Sequence, residues 1–175
     1  LITSSAASDV YKRQKLYGLN RFLEKFIKLY EDKRFPNKIL LSGQKGIGKS
    51  TLAYHFINYA LSKGQKYEYN LDNFEINEEN QSFRTILNGS NPNFYQININ
   101  SEKKFIDINQ IRDLISKLNK SSFNNRPRFV LIDNIEFLNK NSINALLKTL
   151  EEPSLDIYFI LIHNNKKILS TLLSR

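Results

Sequence analysis

The sequence predicts an α/β domain built as three layers around a parallel sheet, and three observations carry that prediction. A glycine-rich loop, Gly43-Gln44-Lys45-Gly46-Ile47-Gly48-Lys49-Ser50-Thr51, stands between a short aliphatic run and a helical pattern. Continuous apolar runs, the mark of strands covered on both faces, occur at residues 38–42, 129–132 and 157–162. Amphipathic helical stripes alternate with them along the chain, the order that a doubly covered parallel sheet requires.

Each element follows from its own pattern. Phe22, Leu23, Phe26, Ile27 and Tyr30 form a helical stripe, and Pro36 closes the connection to the first buried run. Lys38-Ile39-Leu40-Leu41-Ser42 reads as a strand feeding the glycine loop. Leu52, Phe56, Tyr59 and Ala60 recur at helical spacing, so a helix opens at Lys49 or Ser50 and runs to about Leu61. Residues 64–93 are polar and carry the turn Asn88-Gly89-Ser90-Asn91-Pro92, which predicts an insertion or long loop. Phe94-Tyr95-Gln96-Ile97-Asn98-Ile99 alternates as a half-buried strand. Asp107 with Gln110 three residues later has capping-box spacing, and Ile111, Leu114, Ile115 and Leu118 follow on one helical face. Ile143, Leu146, Leu147 and Leu150 mark a further helix, halted near Pro153. Residues 1–14 show no periodicity and are read as a foreign or disordered flank. Residues 15–175 form one domain, incomplete at its C-terminal end.

Composition narrows the function. With 175 residues and 41% hydrophobic content the chain buries one ordinary core. No run of about 18 apolar residues occurs, so no membrane span is expected, and a cytoplasmic protein is. The absence of cysteine excludes disulfides and thiolate metal sites. Two histidines, His55 and His163, are too scattered for a metal centre. The net charge of +9 invites a nucleic-acid reading, but the lysines are dispersed rather than striped, and most read as solvated surface.

The glycine loop satisfies G-x-x-x-x-G-K-[ST] in the strand–loop–helix context that the motif demands. Its glycines let backbone N–H groups turn inward around a phosphate, at the positive end of the following helix. Lys49 would neutralise the β/γ oxygens and the Ser50 hydroxyl would hold Mg²⁺. Gly43, Gly46, Gly48, Lys49, Ser50 and Thr51 are thus candidate nucleotide-binding residues. Asp133, where an apolar strand meets polar loop, is a second Mg²⁺ candidate, directly or through water; the plainer reading of such an Asp is a helix cap. The next position is Asn134, whose amide cannot take a proton from water at neutral pH. Glu136, two residues further on, is a candidate substitute, but on an extended backbone the two positions lie one repeat apart, about 7 Å, and its plainer reading is a solvated loop carboxylate.

Asn144-Ala145-Leu146-Leu147-Lys148-Thr149-Leu150-Glu151-Glu152-Pro153, following Ile132-Asp133, resembles the signature of bacterial clamp-loader ATPases, and Leu172-Leu173-Ser174-Arg175 resembles the start of their Ser-Arg-Cys motif. The glycine loop and the helix after Asp107 are similar to the delta-prime branch of that family. The resemblance covers about Leu16 to Arg175. It implies an AAA+ base domain of the P-loop NTPase class that stops before the helical lid, ATP and Mg²⁺ as cofactors, and membership of a hetero-pentamer that opens a sliding clamp and closes it on primed DNA. It also implies a strand order of 2-3-4-1, with strand 39–42 at an exposed apolar edge. Many family members carry a four-cysteine zinc module, which this chain without cysteine does not have.

Two readings stay open. In one, the domain is chiefly a nucleotide-binding partner whose Arg175 reaches into a neighbouring subunit's ATP site, where an arginine stabilises a transferring phosphoryl group. In the other it is a working ATPase, a loader motor or another DNA-associated AAA+ enzyme. Asn134, where motor subunits carry Glu, and the missing cysteines favour the first.

Overall fold

A computed structural model describes residues 15–99, 105–120, 124, 126–151 and 156–164. In chain order the elements are α1 (Asn20–Glu31), β1 (Lys38–Ser42), α2 (Lys49–Ser62), α3 (Gln81–Leu87), β2 (Phe94–Ile97), α4 (Ile108–Leu118), β3 (Arg128–Ile132), a 3-10 turn (Ile135–Phe137), α5 (Lys140–Glu151) and β4 (Ile157–His163). The chain divides into two compact units, residues 1–35 with 50–91, and residues 36–49 with 92–175.

The second unit holds the sheet. Its four strands run parallel in the order β1-β4-β3-β2, which is the expected 2-3-4-1. Leu40 lies opposite Leu161, Val130 opposite Phe159 and Tyr95 opposite Val130. Every position of β3 is buried, so both sheet faces are covered there, as its unbroken apolar run requires. Val130, Ile132, Phe159 and Leu161 pack with Ile111 and Leu114 of α4 and with Ile143, Leu146 and Leu150 of α5. Both halves of the capping box that opens α4 are formed, the Asp107 side chain accepting the Gln110 N–H and Gln110 Oε1 accepting the Asp107 N–H at 3.0 Å, and Asp107 Oδ1 also accepts the Asn109 N–H at 3.0 Å. The other end of α4 is closed from a distance. Arg128, buried at the start of β3, donates from Nη1 to the carbonyls of Leu118 and Lys120, both at 2.9 Å.

Among the described residues β1 pairs with β4 alone. Leu40 is 39% exposed, and Ile39, Leu40, Leu147, Leu150 and Leu161 line an apolar groove beside that edge. Among the described residues the edge is exposed as expected, whereas the reading of 38–42 as a strand covered on both faces is corrected: no position of β1 is buried, since it flanks the sheet with β4 on one side alone.

The first unit packs α1 on α2 through aromatic rings. Phe35 and Phe56 stack at 4.3 Å between centroids, with Phe26 and Tyr30 set edge-on around them. Phe22 departs from the predicted stripe. It is 56% exposed, because Leu23, Phe26, Ile27 and Tyr30 already span the face that α1 presents to its unit. The long-loop expectation for residues 64–93 is also corrected, since α3 lies within it. Asn80 caps that helix by accepting the Phe83 N–H at 3.0 Å, and Ser82, Phe83 and Ile86 are buried. The segment is tied to α2 by polar contacts: Ser82 Oγ donates to the Leu61 carbonyl at 2.9 Å, and buried His55 meets the Tyr69 hydroxyl at 2.7 Å. Polar composition concealed a helix whose anchors are themselves polar. The predicted flank at residues 1–14 and the helix stop at Pro153 lie outside the described residues.

Candidate functional site at the phosphate loop

The loop after β1 begins where two strands end side by side. The Gly43 N–H donates to the His163 carbonyl at 3.3 Å, and Ser42 Oγ lies 2.9 Å from His163 Nδ1, so the ends of β1 and β4 are pinned together by backbone and side chain. The loop then turns through Gly46 at φ +90° and Gly48 at φ +91°, the left-handed region that a side chain rarely adopts. Open space surrounds the Cβ position of Gly46, so backbone conformation rather than crowding demands glycine there. α2 starts at Lys49, as the spacing predicts.

Lys49 is folded into its own loop. It is 7% exposed, and its ammonium donates to the carbonyls of Gly43 at 2.9 Å and Gln44 at 2.6 Å. A buried ammonium held only by neutral carbonyls is suited to an anion, which would satisfy its charge as well as its hydrogens. Ser50 Oγ is buried and makes no hydrogen bond among the described residues. A buried hydroxyl without a partner is uncommon, and it is the group expected of a metal ligand. Thr51 follows, half-buried, in the first turn of α2. The residues present therefore fit a nucleotide phosphate and its Mg²⁺. Among the described residues no cluster of three His, Cys, Asp or Glu side chains forms a metal site of its own.

Asp133 sits at the C-terminal end of β3, half-buried, its N–H donating to the Ile97 carbonyl at 3.1 Å. The chain does not continue extended beyond it. Asn134 takes a left-handed conformation, φ +58° and ψ +54°, and residues 135–137 form the 3-10 turn. This reversal brings Asn134 and Glu136 to one residue, Asn164, just past β4. Asn164 Nδ2 donates to Asn134 Oδ1 at 2.8 Å, and the Asn164 N–H donates to Glu136 Oε2 at 3.4 Å. Glu136 Oε1 is buried and accepts no hydrogen bond among the described residues. The expectation of a solvated carboxylate one extended repeat away is thus corrected, because the αL residue and the tight turn bend the path back. Asn164 was not singled out from the sequence. Its only signal there was its position directly after a strand, at the sheet end where ligands gather.

Of the signature 144–153, residues 144–151 lie in α5, with Leu146, Leu147 and Leu150 buried. Glu152, Pro153 and Arg175 lie outside the described residues.

A family model described as DNA polymerase III, delta subunit, matches residues 18–175. The chain belongs to this family. Within its delta-prime, gamma and tau clamp-loader branch, the delta-prime subunit of Buchnera aphidicola subsp. Schizaphis graminum is 30% identical over 156 residues, covering 87% of this chain and 44% of that protein. The gamma subunit of the same organism is 32% identical over 137 residues, covering 78% of this chain and 35% of its own. A solved DNA polymerase III gamma subunit-related protein from Thermotoga maritima superposes with a TM-score of 0.55 at 20% identity, covering 90% of this chain and 42% of that one, which carries the fold alone. This clamp-loader chain accordingly has the parallel α/β architecture of an AAA+ base domain. It spans less than half the length of the delta-prime relatives it matches. No helix among its described residues is long and apolar enough to cross a membrane.

Proposed function

We propose that the chain is the nucleotide-binding part of a delta-prime-like subunit, which binds ATP with Mg²⁺ and helps load a sliding clamp on primed DNA in the cytoplasm. The observation that carries the reading is the loop from Gly43 to Lys49, with its two left-handed glycines and an internal ammonium. The backbone around Gly43, Gly46 and Gly48 would hold the phosphates, Lys49 would neutralise them, and Ser50 with Asp133 would hold the metal. Bound Mg²⁺ would supply charge neutralisation at the β/γ oxygens. Its partners would be the other subunits of a hetero-pentamer and the clamp itself. Delta-prime is the commonest name among the relatives, which supports this branch over gamma and tau.

The test is nucleotide affinity of the full-length subunit. Lys49→Ala should weaken ATP binding by at least about tenfold, since a charge-assisted contact to phosphate is lost; equal isotherms would remove the assignment. The partner role of Arg175 has a separate test in a reconstituted loader. Arg175→Ala should lower turnover by about 10³ or more at the site it completes, in the range of arginines acting across interfaces. Unchanged turnover would return the reading to a motor subunit.

A further inference from the structure

We infer that Glu136, rather than the residue directly after Asp133, is the proton acceptor for the water that attacks a nucleotide held at the phosphate loop. The inference rests on the nucleotide-binding reading and adds to it a hydrolytic function that Asn134 alone would deny.

Four observations carry it. The position after Asp133 is an amide, too weak a base to take water's proton, whose oxygen accepts from Asn164 Nδ2 at 2.8 Å. The αL residue and 3-10 turn bring Glu136 back to the end of β4, where its Oε2 accepts the Asn164 N–H. That strand end adjoins the phosphate loop, because the His163 carbonyl takes the Gly43 N–H and the His163 ring meets Ser42. Finally, Glu136 Oε1 is buried without a hydrogen bond, and among the described residues no cation is paired with it. Leaving a buried acceptor unfilled is costly, and such groups commonly serve a water, an ion or a substrate. Of the side chains at 134 and 136, only the carboxylate has the basicity to take a proton from water.

The step balances with water alone as co-reactant. The water oxygen bonds to the terminal phosphorus while the bond from that phosphorus to the β–γ bridging oxygen breaks. The diphosphate leaves with the electron pair, and the water's proton passes to Glu136. Asn164 acts as a positioning residue, holding the carboxylate by its N–H.

The experiment compares the full-length wild type with Glu136→Gln, Glu136→Asp and Lys49→Ala. It reads affinity for a non-hydrolysable ATP analogue and for ADP, together with single-turnover cleavage of ATP. Removing a negative charge beside the terminal phosphate should tighten the triphosphate analogue about threefold or more in Glu136→Gln and leave ADP unchanged. Cleavage should fall about 100-fold, the usual scale for a lost general base. Glu136→Asp keeps the charge but withdraws the oxygens, so the wild-type preference between the two nucleotides should persist while cleavage falls. It also serves if the Gln variant does not fold. Weakening of both nucleotides alike would make Glu136 a structural brace and overturn the inference, as would cleavage equal to wild type or a wild type that binds but does not cleave. If wild type and Lys49→Ala bind neither nucleotide, the nucleotide-binding reading itself falls, and this inference with it.

Discussion

Glu31, at the end of α1, gathers one partner from α2 and one from just beyond it: the Tyr59 hydroxyl donates to it at 2.9 Å, and the Lys63 ammonium pairs with its other oxygen. The Lys63 hydrogen bond, with help from Tyr59, holds the Glu31 carboxyl below its usual range. Partial burial and then the Glu31 carboxylate push the Tyr59 phenol up to about 12. The signs differ for the two groups. Glu31 contributes stability at neutral pH that is lost as pH falls through its lowered value. Tyr59, protonated in the fold where the unfolded chain would already ionise, costs stability as pH rises from its ordinary 10 towards 12. In an alkaline absorbance titration, Tyr59→Phe should delete a step near pH 12 and leave the steps near 10 in place; loss of a step near 10 instead would refute the pairing. Asn134 makes the complementary point about legibility. That a strand ends at Asp133 could be read from the apolar run. That the next residue turns left-handed could not, because Asn tolerates that conformation without requiring it. The contact of Asn134 with Asn164, 30 positions on, exists only once β3 and β4 lie side by side.

At the scale of elements, legibility followed the strength of local chemistry. α4 was readable to the residue because two side chains three apart close the capping box by themselves. Asp107→Ala should cost about 1 kcal/mol of stability, read as a lower midpoint in urea, and an unchanged midpoint would show that the cap contributes nothing. α3 was missed because it is seven residues long, too short for its period to stand out, and its anchors are Asn80 and Ser82 rather than an apolar stripe. The closure of α4 by Arg128 was equally hidden. A basic residue opening an apolar run looks like a solvated strand end, and only the fold shows its guanidinium against the carbonyl of the last helical residue, Leu118, and that of Lys120 just beyond it. Removing it with Arg128→Met should cost about 1–3 kcal/mol by leaving those carbonyls short of a donor. A thermal midpoint equal to wild type would refute that role.

For the whole molecule, parallel strand order followed from the alternation of runs and stripes together with the family topology, whereas the division into two units had no sequence signal. A net charge of +9 is self-repelling, so raising salt from about 0.05 to 0.5 M should raise the melting temperature through screening; a falling midpoint would mean that attractive pairs such as Lys63–Glu31 outweigh the repulsion. The same charge attracts polyanions of every kind, nucleic acid and nucleotide alike, and offers no discrimination among them. On the nucleotide-binding role proposed above, discrimination would begin at Lys49, whose ammonium already rests on two carbonyl oxygens of its own loop. A ligand must outcompete both before it gains that cation. A neutral sugar or a lone monoanion makes a poor exchange, whereas adjoining phosphates make a good one. On that proposal the loop would act as a threshold on the charge density of what the molecule's field delivers, with its height set by the lysine's resting contacts.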